Sequence, residues 1–300
     1  MGLSSTKLNP SVRPHGFKPD GKLRMIKATC LLARMKKLCL LNDTTPKLAV
    51  CITMYNENEA ELKMTISGVL QNYNIMHMDP DIRMKQEDLI VVCVADGYDK
   101  IPESFKKYAT DNQFLDVEVL KKRGFMFEDR DGVWKMKTMS DLMDKNVKKV
   151  PKNILHLFQV CTWDFGLDDE TLKGRRINFI FAIKQRNDGK INSHKWFFQG
   201  ICKYLKPEFT LMLDIGTKAD DYAIAKLYKY MKNNDMCGGC CGEIEVDFST
   251  HKTFDISYML KAAQFYEYKL SHSPDKCCES YFGYNSVLPG AYSMFKWKAI

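Results

Sequence analysis

The chain has 300 residues, 45% of them hydrophobic and 12% aromatic, so it can bury the core of one large domain or two small ones and is not expected to be disordered. Its 45 Lys and Arg residues against 37 Asp and Glu give a net charge of +8. This excess suits phosphate-bearing ligands or an anionic membrane face, but it is too diffuse to indicate a nucleic acid. The 11 cysteines are scattered and the sequence shows no signal-peptide pattern, which favours a reduced cytosolic setting. No window reaches the roughly 18 apolar residues of a membrane span, so we expect no transmembrane segment in this chain.

The N-terminal part, residues 1–46, is basic and contains the amphipathic stretch IKATCLLARMKKLCLL at 26–41. Its pattern predicts a helix that either packs on the core or lies on a membrane surface. We therefore predict two parts, this segment and a single domain over 47–300.

From residue 47 onward, apolar runs alternate with helical patterns. The runs predict strands, several of them too continuously apolar to face solvent, at 47–55, 88–97, 114–122, 153–160, 178–184 and 209–216. Helices are predicted at 59–73, 193–206 and 220–234, and Asp220 and Asp221 suit the first turn of the last one. This alternation predicts an α/β fold, a mostly parallel sheet with helices on both faces and ligands bound beyond the carboxyl ends of the strands. The charged stretch 123–150 is expected to be an insertion and not a core element.

The first predicted strand runs into TMYNENE at 53–59. Tyr55 offers a flat face for a nucleobase, and Asn56 and Glu57 can hydrogen-bond the polar edge of a pyrimidine. Asn56 can equally cap the helix that Glu57 and Glu59 begin. Both interpretations stay open, because one segment can do both.

Two further predicted strands end at an aspartate. Asp96 precedes Gly97, a dipeptide that by itself usually marks a turn. Asp214 follows the apolar run FTLML, where an unpaired charge costs several kcal/mol, and Gly216 allows a phosphate to approach the backbone closely. Since Mg²⁺ and similar cations are held by one or two carboxylates plus substrate phosphates, we expect Asp214 to bind a divalent metal that carries a diphosphate.

Three basic residues, Lys184, Arg186 and Lys190, follow another strand and suit a diphosphate leaving group, although such a run is also typical of a solvated loop. His194 is interpreted as a structural hydrogen-bonding residue, because no second His stands at metal-site spacing.

CGGCCGEI at 237–244 does not indicate zinc, because no second Cys-x-x-Cys pair completes four ligands. Its glycines are expected to let a bound chain approach the backbone, with Glu243 as a hydrogen-bond acceptor. Pro289 and Gly290 together predict a tight turn.

In chain order, these segments closely resemble the catalytic region of chitin synthases, which are processive family 2 glycosyltransferases. The resemblance covers 47–300 and rests on CITMYNENEAEL, VVCVADGYDKI, KINSHKWFFQGI, LMLDIGTK, GGCCGEI, AAQFYEYKLSHSPDK and ESYFGYNSVLPGAYSMFKWKAI. Hyaluronan synthase shares the aspartates at the strand ends, but the INSHKWFF and VLPGA phrases favour chitin synthase.

The resemblance implies a GT-A fold that binds UDP-N-acetylglucosamine with Mg²⁺ or Mn²⁺ and adds the sugar, with inversion, to the 4-hydroxyl of a growing β-1,4 chain of cell-wall or cyst-wall chitin. Carried over to this sequence, it assigns the nucleotide and donor site to Thr53, Tyr55, Glu57, Asp96, Lys184, Asp214 and Thr217, with Lys184 near the diphosphate and Asp214 on the metal. It assigns the donor-sugar and acceptor region to Gly239, Gly242, Glu243, Pro289 and Gly290.

Two family segments are absent from the sequence: a Glu-Asp-Arg segment that holds the general base, and a Gln-x-x-Arg-Trp segment. The triplet at 128–130 spells Glu-Asp-Arg but lies far too early, and we interpret it as coincidence. The domain is therefore expected to be truncated before its C-terminal part, with the base beyond Ile300 and a rate loss of roughly 10² to 10⁴ from the missing proton transfer.

The resemblance also implies transmembrane helices outside these residues, so the parent protein is expected in the plasma membrane with this domain facing the cytoplasm. The expected partners are the nucleotide sugar and the growing chitin chain, and a homodimer is an open option. The sequence leaves two other classes open. One is a non-catalytic module that binds a nucleotide sugar, and the other is a basic nucleic-acid-binding protein. The second is disfavoured because basic and aromatic residues are not interleaved in clusters, so no nucleic-acid partner is expected.

Overall fold

The computed structural model describes residues 24–28, 45–142, 153–162, 165, 167, 172, 177–248 and 256–300. The strands are β1 Arg24–Ala28, β2 Leu48–Met54, β3 Leu89–Ala95, β4 Met126–Glu128, β5 Trp134–Met136, β6 Leu155–Thr162, β7 Ile177–Lys184, β8 Phe209–Asp214, β9 Gly239–Cys241 and β10 Tyr292–Lys296. Eight of them form one sheet in the order β1-β6-β7-β3-β2-β8-β10-β9, and β4 and β5 form a separate pair.

The centre of the sheet is parallel. β7, β3, β2 and β8 run in the same direction, while β6 pairs antiparallel with β7 and with β1 on one side, and β10 pairs antiparallel with β8 and with β9 on the other. Every residue of β2 and β3 is buried, as expected for continuous apolar runs covered on both faces. The carboxyl ends of β2, β3 and β8 therefore meet at one edge of the sheet.

Helices cover both faces of this sheet, which confirms the predicted α/β architecture. They are α1 Glu59–Met78, α2 Glu103–Asp111, α3 Val117–Lys122, α4 Lys190–Lys195 with its π-helical continuation Trp196–Cys202, α5 Lys203–Leu205, α6 Ala223–Asn233, α7 Ile256–Leu270 with its π-helical continuation Ser271–Lys276, and α8 Cys277–Tyr281. The sheet has a hydrophobic core on each face, and successive residues of β2 pack into different ones. Val50 packs on the side of α1, α2 and α6, and Cys51 packs on the side of Trp196. None of the helices in the described ranges is long and apolar enough to span a membrane.

A buried asparagine ties the loop after β8 to α1. The Asn72 side chain accepts hydrogen bonds from the backbone N–H groups of Ile224 (2.9 Å) and Ala225 (3.3 Å) and donates to the carbonyl of Asp220 (2.8 Å). A Cβ at Gly68 would lie 2.7 Å from backbone atoms of the same loop, so the two segments touch directly. The loop that follows Asp214 is thereby held in place.

One predicted strand, 114–122, is wrong, because its second half is the helix α3. The Asp116 side chain accepts from the backbone N–H of Val119 at 3.0 Å and caps the helix. Within α3, which is described in full, only Leu120 is buried. The alternation in VEVL therefore does not mark two faces of a strand, and the helix cap at Asp116 is the signal that decides the structure.

Other parts of the predictions also differ from the structure. Residues 26–28 of the predicted N-terminal helix belong to β1, which pairs with β6, and 29–41 lie outside the described residues. α6 begins at Ala223, after Tyr222 with a φ of 63°, so the two predicted first-turn aspartates precede the helix. In the predicted insertion, β4 and β5 do stand apart from the main sheet, but Met126 and Met136 are buried in the main core.

Candidate functional site

A cavity of about 230 Å³ lies at the carboxyl ends of β2, β3 and β8. It is lined by Thr53, Met54, Tyr55, Glu57, Asp96, Lys190, Ser193, Asp214 and Ile215. Five residues assigned from the sequence to the nucleotide and metal site are among them: Thr53, Tyr55, Glu57, Asp96 and Asp214. The parallel register explains the clustering, because three strands deliver their last residues to the same edge.

Asp214 ends β8 directly opposite Thr53 of β2. The Thr53 hydroxyl donates to Oδ1 of Asp214 at 2.7 Å, and the Lys190 ammonium contacts Oδ2 at 2.6 Å. The side chain of Asp214 is 32% exposed and that of Lys190 is 49% exposed, so this ion pair lies at the mouth of the cavity and not inside the core.

Asp96, at the end of β3, is supported from behind by Lys184. Their side chains are 2.6 Å apart and 8% and 0% exposed, and Lys184 also donates to the carbonyl of Gly189 (3.0 Å) and to Oδ1 of Asn192 (3.3 Å). Burial lowers the pKa of Lys184, while the bond to Asp96 opposes that shift. Three acceptors therefore use the three N–H groups of Lys184, and Lys184 is not among the described residues that line the cavity, so its contact with a diphosphate stays a prediction.

The Asp96-Gly97 dipeptide forms a turn and also lets a neighbouring loop pass close to the site. The φ of Gly97 is +98°, and a Cβ there would lie 2.7 Å from the backbone nitrogen of Asn187. The 186–189 loop thus crosses directly over the end of β3, and the N–H of Asp188 donates to Oδ1 of Asp96 at 2.9 Å. Only glycine fits this crossing.

The segment after β2 lines part of the cavity and also begins helix α1. Glu57 accepts from the backbone N–H of Tyr55 at 2.6 Å, and the Tyr55 side chain keeps 39% exposure toward solvent. Asn58, and not Asn56, caps α1: it accepts from Glu61 N–H (3.1 Å), and the Glu61 carboxylate accepts from Asn58 N–H (2.7 Å). The predicted cap at Asn56 is therefore wrong by two residues.

Thr217 lies in the turn behind Asp214 and is not among the described residues that line the cavity. Its N–H donates to the carbonyl of Asp214 at 3.0 Å. Gly216 has a φ of +87°, and its N–H donates to the Thr65 hydroxyl at 2.9 Å. The glycine is thus required by the backbone conformation of the turn, and its amide is already bonded within the fold.

The glycines of GGCCGEI are in close contact with the protein's own side chains. A Cβ at Gly242 would lie 1.9 Å from the ring of Tyr292, and one at Gly239 would lie 2.8 Å from Leu288. Gly239 pairs with Phe295 in the β9–β10 ladder. The close approach that the sequence predicted for a bound chain is therefore made here by β10 and the loop before it.

The remaining residues of the predicted sugar region, Glu243, Pro289 and Gly290, are not among the described residues that line the 230 Å³ cavity. Glu243 contacts Lys269 at 2.6 Å, and that bond lowers the pKa of Glu243. The predicted turn is present, with the N–H of Tyr292 donating to the carbonyl of Pro289 at 3.3 Å. Gly290 faces the imidazole of His194, since a Cβ would lie 3.4 Å from its Cε1. Pro289 and Gly242 line another cavity, of about 550 Å³.

Two polar residues that line the cavity, Lys190 and Ser193, are not among those assigned to the site from the sequence. Lys190 was noted only as part of a basic cluster, and Ser193 only within the KINSHKWFF phrase. Both lie in α4 three residues apart, a spacing that places them on one helical face. In the sequence, this spacing within the helix after β7 is the feature from which both residues could be assigned to the cavity.

Comparisons with known proteins identify the family of this chain. The family model of a chitin synthase-like glycosyltransferase domain matches residues 48–300. The chain belongs to this family. It is 33% identical over 262 residues to chitin synthase 2 of Mycosarcoma maydis, and 34% identical over 261 residues to chitin synthase C of Aspergillus oryzae. Each match covers 85% of this chain but only 22% and 26% of the relative, so the chain spans about a quarter of these chitin synthases.

The donor set of this chitin synthase-like domain fits a cation held by a single protein carboxylate. Within the described ranges, no group of three or more His, Cys, Asp or Glu side chains could hold a metal ion. Asp214 supplies the hard oxygen ligand that Mg²⁺ prefers, and phosphates and water complete such a shell. Oδ2 of Asp214 is bonded to Lys190, so a cation at this position would have to displace the half-exposed ammonium.

Proposed function

We propose that this glycosyltransferase domain binds UDP-N-acetylglucosamine with Mg²⁺ or Mn²⁺, within a parent enzyme that transfers the sugar, with inversion, to the 4-hydroxyl of a growing β-1,4 chitin chain. The observation that carries the proposal is the meeting of five predicted residues in one cavity at the ends of three parallel strands. The similarity to fungal chitin synthases supports the choice of donor and acceptor.

In this proposal, Tyr55 stacks on the uracil ring and Glu57 and Asp96 accept hydrogen bonds from the nucleoside. Asp96 is held in position by Lys184 at 2.6 Å and by the N–H of Asp188 at 2.9 Å, so it does not have to reorganise when the ligand binds. Thr53 orients Asp214 from the neighbouring strand. A divalent cation bound at Asp214 supplies positive charge opposite the departing diphosphate.

We assign the donor-sugar and acceptor region to the surface around β9 and β10. β10 pairs with β8, the strand that ends at Asp214, so this surface continues from the proposed metal ligand along the sheet. The assigned residues are Gly239, Gly242, Glu243, Pro289 and Gly290, and Gly242 and Pro289 line the 550 Å³ cavity there.

The resemblance locates the general base in a segment that these 300 residues do not contain. We therefore propose that this chain binds the donor with little turnover, because a missing proton transfer costs roughly 10² to 10⁴ in rate. The parent enzyme is proposed to reside in the plasma membrane with this domain on the cytoplasmic side.

Calorimetric titration with UDP-N-acetylglucosamine, with and without Mg²⁺ or Mn²⁺, tests the proposal. We expect binding that depends on the metal, and loss of that dependence in Asp214→Ala. Asp221→Ala is the matched control, because Asp221 is an exposed carboxylate on the following loop and does not line the cavity. Absence of binding by the unaltered chain, or metal-dependent binding that survives Asp214→Ala, would refute the proposed donor site.

A further inference from the structure

The Ser193 hydroxyl is buried without a hydrogen-bond partner in the described part of the chain. Ser193 is only 1% exposed, and its Oγ contacts no donor or acceptor there. An unpaired buried hydroxyl costs free energy comparable to a lost hydrogen bond, so its presence needs an explanation. Ser193 also lines the cavity that holds Asp96 and Asp214.

The local helix explains why the hydroxyl is unpaired. A serine inside a helix usually donates to the carbonyl four residues earlier, which here belongs to Gly189. That carbonyl already accepts from the Lys184 ammonium (3.0 Å) and from the backbone N–H groups of Asn192 (3.1 Å) and Ser193 (3.3 Å). The usual acceptor is therefore occupied, and the hydroxyl of Ser193 remains available to a ligand in the cavity.

Lys190 lies one turn before Ser193 on the same face of α4. Three carboxylates line the cavity, those of Glu57, Asp96 and Asp214, and among the described lining residues Lys190 is the one cation. An anionic ligand needs this charge to enter, because three carboxylates repel it. Lys184 does not line the cavity, and its three N–H groups are bonded to Asp96, Gly189 and Asn192.

We propose that Lys190 and Ser193 together bind the diphosphate of the nucleotide sugar, with the Ser193 hydroxyl donating to a phosphate oxygen. The proposal rests on the proposed nucleotide-sugar function and names the residues that recognise its phosphates. Rotation of Ser193 about χ1 between staggered positions turns the hydroxyl without moving the helix. Lys190 reaches the phosphate by leaving Oδ2 of Asp214, which its half-exposed position allows.

The test compares UDP with uridine, which lacks the phosphates, in calorimetric titrations of the full 300-residue chain. Ser193→Ala should weaken UDP binding roughly tenfold or more, as expected for a lost hydrogen bond to a charged group, and leave uridine binding unchanged. Its Tm should stay the same or rise, because the substitution removes an unpaired buried hydroxyl. Lys190→Met should weaken UDP binding in EDTA as well as in Mg²⁺, again without affecting uridine.

Ser67→Ala is the matched control, since the Ser67 hydroxyl bonds to the Met64 carbonyl within its own helix at 2.8 Å. Unaltered UDP affinity in Ser193→Ala, while the wild-type chain binds UDP, would overturn this inference and leave the proposed function standing. A drop in Tm together with equal weakening of UDP and uridine would also overturn it, by showing a structural role. Failure of the wild-type chain to bind UDP would reject both.

Discussion

Replacing Lys184 by Met separates two roles for this residue, a buried support of Asp96 or a ligand contact near the diphosphate. Methionine fills a similar volume without the ammonium, so Asp96 keeps the N–H of Asp188 but loses its cation at 2.6 Å. Removing one partner of a buried ion pair typically costs about 3–5 kcal/mol. Because Asp96 lines the cavity and retains one donor, we expect the low end, about 3 kcal/mol.

That loss is measurable against the total stability of a domain, which is typically about 5–15 kcal/mol. Urea denaturation of wild type and Lys184→Met at pH 7 and 25 °C, followed by far-ultraviolet circular dichroism, gives the difference in free energy of unfolding. The double variant Asp96→Asn with Lys184→Met should recover part of it, because a neutral amide is less costly to leave buried than a carboxylate. Lys203→Met, at an exposed position on α5, should leave the urea midpoint unchanged.

The result that would refute this reasoning is a Lys184→Met variant with the wild-type urea midpoint and a large loss of UDP affinity. It would show that Lys184 contacts the diphosphate, as the resemblance to chitin synthases implies, and that the ion pair with Asp96 gives way when the ligand binds. If stability falls and the double variant recovers it, Lys184 acts by positioning Asp96.

Three further substitutions test the fold around the site. Asn72→Ala should lower the free energy of unfolding by about 3 kcal/mol, because it leaves three backbone groups without their partner. Urea denaturation checks this against Asn112→Ala, which loses one local bond to the Tyr108 carbonyl at the end of α2. Gly97→Ala should lower Tm, because its φ of +98° and a 2.7 Å approach to Asn187 both oppose a side chain, and an unchanged Tm would contradict this crossing. Burial lowers the pKa of His194, so the folded state favours the neutral ring and stability should be lost as pH falls below about 6.5. Tm measured from pH 8 to 5 should fall less steeply in His194→Gln, and equal slopes would exclude this residue as the cause.

The parallel centre of the sheet could be predicted because continuous apolar runs such as 48–54 and 89–95 have no solvent-facing side. Segment 114–122 could not be assigned from its pattern, since four alternating residues fit a strand as well as a short helix. The deciding interaction is the cap at Asp116, a single side-chain bond to the backbone. Periodicity therefore identified long elements and failed where a local hydrogen bond selected the structure.

In the site, the strand-end residues could be predicted to meet because parallel strands share one carboxyl edge. The different burial of Lys184 and Lys190 could not be predicted, because in the sequence both are basic residues that follow the same apolar run. Lys184 is the last residue of β7 and is fully buried, while Lys190 is the first residue of α4 and half exposed. Ser193 was missed because a helical serine normally satisfies itself on its own backbone.

The structure changes the reason for expecting a metal at Asp214. From the sequence, a lone charge at a strand end needs a cation, but in the structure Asp214 already has the Thr53 hydroxyl at 2.7 Å and the Lys190 ammonium at 2.6 Å. Its ionisation alone therefore no longer argues for a metal. The structure permits the proposed metal, because displacing Lys190 from Oδ2 would cost little: a partly exposed ion pair of this kind is typically worth about 0–1 kcal/mol. A divalent cation that arrives with a diphosphate would replace Lys190 at Oδ2 and free its ammonium for the phosphate, so one displacement supplies both charges that the ligand needs.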